Sequence, residues 1–238
     1  MQVSAVVVAR KGSKRIPNKA LQPFGDELLV SHKVKQLLHS QQIHRVIVGS
    51  DCDEILQIGK AAGAETVKRP DFYCNEQVAS ANDMISNMCS LIETDIVVWA
   101  HCTNPLLQAC TYDLAVETFL SKRAEGFDSL LSVDLVQEHL WEGSEFKPMN
   151  YNPYAERHPL AKELPPLYKQ NGGIFIQPHE QMLENRYFFG DRPYLFQTPL
   201  EESYDINTFH DLAVARALWS RQFDSPENSD NYIADKTG

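Results

Sequence analysis

The stretch Val3–Lys19, VSAVVVARKGSKRIPNK, decides the fold. Its first half, Val3–Ala9, is a continuous apolar run rich in β-branched residues, which predicts a strand buried on both faces of a parallel sheet. Its second half holds five basic residues, Arg10, Lys11, Lys14, Arg15 and Lys19, around a Gly12-Ser13 turn, with no acid among residues 10–19. A loop that leaves a buried parallel strand emerges at the carboxyl edge of the sheet, where open α/β folds bind ligands. Glycine permits close backbone approach, and N–H groups in such a turn form an anion-binding concavity. Lysine and arginine add charge, and Ser13 adds a neutral donor. The segment therefore predicts a phosphate-binding loop, although it matches neither GxxxxGK[ST] nor GxGxxG. The bland alternative is a solvated basic turn.

Outward from this stretch the chain alternates strands and helices. Strands are predicted at Arg45–Gly49, Ala64–Val67, Asp95–Ala100 and Ser129–Val133, and again at Gly172–Gln177 and Tyr194–Gln197. Helical spacing marks Val30–Leu38, a segment capped near Ser50–Asp53, then Ala81–Leu91, Cys110–Leu120 and Thr208–Trp219. Such alternation predicts a three-layer α/β/α sandwich around a mostly parallel, Rossmann-like sheet. Residues 1–221 are expected to form one domain. Residues 134–170, with Pro148, Pro153, Pro159, Pro165 and Pro166 and no clean period, predict an inserted arm. The polar stretch 222–238 predicts a flexible tail.

The chain has 238 residues, and Lys+Arg 22 against Asp+Glu 32 gives a formal net charge of −10. That balance excludes a general nucleic-acid binder, which would carry a basic footprint. It also conceals the first loop, which concentrates five of the positive charges. The five cysteines form no CxxC pair and read as reduced, mostly buried thiols of a cytoplasmic protein. The N-terminal apolar run is too short for a signal sequence or a membrane span, so no membrane partner is expected. His139, His158, His179 and His210 lack metal-ligand spacing, so none is assigned to zinc.

The segment VVARKGSKRIPNK resembles the N-terminal signature of the sugar-acid cytidylyltransferases, the family of CMP-sialic acid and CMP-Kdo synthetases. The resemblance spans about residues 3–219. It continues through VIVGSDCDEI at 46–55, Lys68-Arg69-Pro70 with Ala79-Ser80, HCTNPLL at 101–107 and LPPLYKQNGGIFI at 164–176. Phe188-Phe189 and YDINTFHDL at 204–212 are similar to its paired aromatics and Asp-Ile-Asp-Thr motif. The resemblance implies a nucleotidyltransferase in which Arg10, Gly12, Ser13, Lys14 and Lys19 hold the phosphates of CTP. Arg69, Ser80 and His101 would line the nucleotide pocket, His101 standing where the family has a glutamine. Asn171, Phe175, Phe188 and Phe189 would contact a 2-keto sugar acid. The implied reaction is attack of the sugar's anomeric hydroxyl on the α-phosphate, releasing pyrophosphate. Arg10, Lys14, Lys19 and Asp205 would carry it, with one or two Mg²⁺ ions on Asp205 and Asn207. A homodimer formed through the arm is implied too, with Tyr151, Tyr154 and Leu160 as interface residues.

The chain departs from the family pattern at definite positions. Asn207 replaces the second aspartate of Asp-Ile-Asp-Thr, and Asp211 is open to either a compensating or a capping role. Ala20, Leu107 and Ala161-Lys162 replace polar or basic family residues. Three readings stand. They are a synthetase for a sialic-acid-like nonulosonic acid, a same-fold enzyme for another nucleotide or sugar, and a catalytically weak nucleotide-binding homologue.

Overall fold

The computed structural model describes the backbone of residues 1–224 and side chains through Arg221. The expected tail at 222–238 lies outside the described residues apart from the last helical turn, because the final helix runs on to Asp224. Seven strands form one sheet: β1 Val3–Val8, β2 Arg45–Ser50, β3 Glu65–Lys68, β4 Ile96–Ala100, β5 Ser129–Val136, β6 Leu167–Pro178 and β7 Pro193–Gln197. Their spatial order is β7-β5-β6-β4-β1-β2-β3. The apolar opening strand lies inside the sheet, with Val6 opposite Ile47 on one side and Trp99 on the other, both pairings parallel. This placement explains why β1 is apolar without alternation: both of its faces are covered.

Helices α1 Leu29–Leu38, α2 Asp53–Ala61 and α4 Ala109–Arg123 cover one face through Val30, Val34, Ile55, Tyr112 and Phe119. Helices α3 Ala81–Ser90 and α5 His179–Asn185 cover the other through Ile85, Met88 and Met182. The expected sandwich is therefore present. Helix α6, Phe209–Asp224, joins a smaller cluster in which Leu212 and Ala215 meet Ile16, Phe24 and Leu106. That cluster ties the end of the first loop to the far end of the chain.

Strand β6 differs most from expectation. It runs antiparallel to both β4 and β5, and begins at Leu167, inside the segment expected to be irregular. Its first residues are mostly exposed and polar, so no apolar run marks them. The register shifts between Gln170 and Phe175, which makes a bulge. Gly172 sits in that bulge at φ +74°, a conformation that side-chain-bearing residues resist. Beyond the paired ends of β5 and β6 the excursion narrows to 137–166. It holds a small hairpin of Trp141–Glu142 with Lys147–Pro148 and a single turn at Ala161–Glu163. Four cysteines are buried and Cys110 is exposed at the start of α4. Among the described residues no helix is long and apolar enough to cross a membrane.

Candidate active site

The loop after β1 opens over the carboxyl ends of β1, β2 and β4, as its position in the sequence requires. Two neighbouring cavities share Val8, Ala9, Arg10 and Glu76. The first, about 430 Å³, is lined by Ser13, Lys14, Arg15, Lys19, Cys102 and Thr103. The second, about 300 Å³, is lined by Arg69, Tyr73, Ser80, Met84, Trp99 and His101. Thus one cavity is basic and the other largely apolar with a few polar groups, the partition a polyphosphate joined to a flat ring demands.

The basic loop leaves its charges accessible. Lys14 and Arg15 are exposed, and a Cβ built on Gly12 would meet nothing within 4 Å, so the turn faces open space. The backbone N–H of Ser13 already donates to the carbonyl of Lys11 at 3.1 Å, so side chains supply more of the available donors than the turn itself. Lys19 is anchored differently: its Nζ donates to the carbonyl of Ile206 at 2.8 Å. Burial pushes the Lys19 ammonium down from the usual lysine value, with Asp205 acting in the opposite direction. Glu76, an acid sixty-odd positions along the chain, pairs with Arg10 and lies 3.5 Å from Lys14. The Arg10 hydrogen bond holds its carboxyl below the usual range.

The floor is built by the turn that follows β4, and its carbonyls are systematically paired. Thr103 accepts from the backbone N–H of Ile206 at 2.8 Å. Asn104 accepts from Lys33 Nζ at 2.8 Å, and Pro105 lies 2.8 Å from His32 Nε2 and 2.7 Å from Gln36 Nε2. Helix α1 therefore grips the turn from below. Lys33 is fully buried and also donates to the Tyr112 hydroxyl at 2.9 Å; burial pushes its ammonium down to about 7. On the other side, Asn104 Nδ2 donates to the carbonyl of Asn171 at 3.2 Å, and His101 Nδ1 lies 2.7 Å from the carbonyl of Gly172. A carbonyl partner requires Nδ1 to carry the hydrogen, and burial lowers the His101 pKa, so the imidazole is neutral with Nε2 as acceptor.

The remaining residues implied by the resemblance divide into groups. Phe175 and Phe188 stack at 4.6 Å, each with His101 edge-on at 6.0 Å, which brings three of them together. Phe189 instead packs against Tyr187 at 5.0 Å. Asn171 is buried and committed to the bulge. Its Oδ1 accepts from Ser132 and Gly173, and its Nδ2 donates to Asp134 and Thr198. The Ser80 hydroxyl caps α3, accepting from Asp83 N at 3.1 Å. Arg69 is buried, its Nε donating to Asn87 and its Nη2 to the carbonyl of Met84. A Cβ on Gly49 would come within 2.9 Å of the Arg69 Cδ, so glycine there makes room for the guanidinium's stem.

At the other end of the site, Asp205 accepts from Asn207 Nδ2 at 2.6 Å. Asp211 takes the capping role. Its carboxylate accepts from Asn207 N at 2.9 Å and Thr208 N at 2.7 Å, which holds its pKa down although burial opposes this. Among the described residues no three His, Cys, Asp or Glu side chains converge on a common point. The donor set is thus one carboxylate with a neighbouring amide. That suits an ion such as Mg²⁺, which takes one or two carboxylates and completes its shell with phosphate oxygens and water. Leu107, at the position where the family pattern has an arginine, is buried in the core.

Sequence reasoning missed Glu76, Trp99, Cys102, Asn104 and Lys33. Only Lys33 left a signal, a lysine in the apolar stripe between Val30 and Leu37 of an otherwise amphipathic helix.

Comparison with known proteins agrees with this fold. A family model described as Cytidylyltransferase matches residues 4–215. Pseudaminic acid cytidylyltransferase of Campylobacter jejuni serotype O:2 is 24% identical, covering 94% of this chain and 99% of its own length. CMP-N,N'-diacetyllegionaminic acid synthase of Legionella pneumophila is 26% identical over 92% of this chain and 96% of its own. N-acylneuraminate cytidylyltransferase of Streptococcus agalactiae serotype V is 26% identical over 89% of this chain, but only 52% of that protein is covered. Among solved structures, a CMP:2-keto-3-deoxy-manno-octonic acid synthetase complexed with CTP superposes with a TM-score of 0.67 at 15% identity. It covers 93% of this chain and 100% of its own, a likeness of fold. With the match over nearly the whole sheet and the paired cavities at its carboxyl edge, the chain belongs to the cytidylyltransferase family of nucleotidyltransferases.

Proposed function

We propose that this nucleotidyltransferase transfers CMP from CTP to the anomeric hydroxyl of a sialic-acid-like nonulosonic acid and releases pyrophosphate. One observation carries the reading: the basic cavity around Ser13, Lys14 and Lys19 opens beside the cavity of Arg69 and His101, with Arg10 common to both. An in-line displacement at the α-phosphate needs positioning and neutralisation of spreading negative charge more than covalent help. Arg10 and Lys14 neutralise the leaving pyrophosphate, and Lys19, fixed on the Ile206 carbonyl, holds a phosphate oxygen near Asp205. Mg²⁺ would be held by Asp205, with Asn207 offering its amide oxygen, and would supply charge neutralisation and activation of the hydroxyl. The names of the relatives support a nonulosonic acid as acceptor. The stacked Phe175 and Phe188 beside His101 offer an apolar wall to one of the two substrates.

The arm supports a homodimer. Trp141, Phe146, Met149, Tyr154 and Leu160 are exposed along it, an apolar surface that a second copy would cover. Tyr151 instead packs inside the arm, edge-on to His139 at 4.7 Å. A second reading, a nucleotide-binding homologue with little turnover, is favoured by the amide of Asn207 occupying Asp205 in place of a second carboxylate.

The test is pyrophosphate release from CTP with Mg²⁺ across a panel of sialic, pseudaminic and legionaminic acids. Turnover with at least one acid, abolished by EDTA, is expected. Binding of CTP without turnover on any acid would select the second reading.

A further inference from the structure

Two N–H donors in the residues lining the 300 Å³ cavity have no partner among the described residues. Arg69 uses Nε and Nη2, but its Nη1 meets no acceptor. Trp99, fully buried in β4, leaves its indole Nε1 without one. Buried N–H groups are nearly always paired, because leaving one unpaired forfeits its hydration without replacement. Two such atoms on residues lining one cavity, at the carboxyl edge of the sheet, call for an acceptor supplied from outside the chain. The indole is also held in place. Its ring packs edge-on against Phe188 at 5.2 Å, and its backbone is fixed between β1 and β6.

The same cavity offers an acceptor in the neutral His101, whose Nδ1 is taken by Gly172. Among the polar groups of its lining, which also include Arg10, Tyr73, Glu76 and Ser80, these three side chains supply two donors and one acceptor. The pairing edge of cytosine is the complement, since O2 and N3 accept while the N4 amine donates. Uracil reverses two of these, carrying a hydrogen on N3 and a carbonyl at C4. It would set a hydrogen against a donor and a lone pair against His101. We propose that Trp99 is a base-specificity residue that donates its indole N–H to an acceptor on the pyrimidine edge of CTP, beside Arg69 and His101. The proposal rests on the nucleotide-transfer reading above and adds a residue to it.

The experiment follows the indole ¹⁵N–¹H resonances of the full chain while CTP or UTP is added, and compares wild type with Trp99→Phe. CTP should move the Trp99 indole resonance downfield and leave those of Trp141 and Trp219 in place. Trp99→Phe, which keeps the aromatic packing, should raise the KM for CTP roughly tenfold with kcat within threefold. It should also cut the preference for CTP over UTP by a similar factor, as expected when one buried polar contact is lost. A CTP complex with an unmoved Trp99 indole, or a Trp99→Phe variant whose KM and CTP:UTP preference stay within twofold of wild type, overturns the proposal. Should the variant fail to fold, the wild-type resonance decides alone, assigned by elimination through Trp141→Phe and Trp219→Phe. No binding of CTP to wild type by calorimetry would overturn the nucleotide reading and this one with it. Binding with an unmoved indole removes only the role of Trp99.

Discussion

The two walls of the site are built on opposite principles. The loop at 10–19 leaves charged groups open, with Lys14 and Arg15 exposed and Arg10 paired with Glu76 at the surface. The floor at 101–107, with the bulge at 171–173, buries its polar groups and pairs most of them through Lys33, His32, Asn104 and Asn171. Open charge costs little stability and is available to a ligand. Buried polarity contributes rigidity, and is costly wherever one member is removed. The difference predicts that mutations in the loop cost activity without stability, whereas mutations in the floor cost stability first.

The largest effect expected is in the loop. Arg10→Ala should lower kcat/KM for CTP by about 10²–10³-fold, the usual loss for one charge-stabilising donor. Its thermal midpoint should stay within a few degrees, because its ion pair is a surface one. Pyrophosphate release and a melting curve measured on the same sample check both halves. A large fall in the midpoint would break the comparison.

In the floor, Asn171→Ala should cost about 3 kcal/mol in urea unfolding, since it removes hydrogen bonds to Ser132, Asp134, Thr198 and Gly173 at once. A cost below about 1 kcal/mol would show that the bulge is held by the strands alone.

The buried Lys33 sharpens the contrast through pH. Burial depresses its folded pKa to about 7 from a usual lysine value of 10.5, with Cys102 and Glu202 acting weakly the other way. Below pH 7 both folded and unfolded states carry the proton, so this group adds no pH dependence. Between about pH 7 and 10.5 the unfolded state binds more protons, so its contribution to stability rises with pH. Wild type should therefore gain stability relative to Lys33→Met between pH 7 and 9.5, measured as the difference in urea midpoints. A constant difference would mean that Lys33 titrates normally.

The smallest effect concerns Glu76, which occupies the cations that phosphates would use. Glu76→Gln should change stability by less than about 1 kcal/mol and tighten CTP binding a few-fold in calorimetry, the gain fading as salt is raised. Weaker binding would make Glu76 part of the nucleotide site.

Much of this was legible in the chain. The strand, the loop and the family resemblance placed Arg10, Ser13, Lys14 and Lys19 together, because they are neighbours in sequence and their charge needs no partner to be seen. Arg69, Ser80 and His101 line one cavity, since each follows a strand or precedes a helix at the same sheet edge. Asp211 was left open between compensation and capping, and only the hydrogen bonds to Asn207 and Thr208 decide it. Asn171, implied as a sugar contact, has its amide used within the bulge.

By itself the sequence determined the α/β alternation, the basic loop and the family, because periodicity and local charge survive without knowledge of long-range contacts. The tertiary structure alone decided that β6 runs antiparallel, that Glu76 faces Arg10, and that Lys33 grips a turn seventy residues away. It alone showed that Trp99 ends with an unpaired donor beside His101. Those facts depend on which distant groups become neighbours and which are cut off from water. Burial and pairing are set by the packed fold, and no local pattern of residues encodes them.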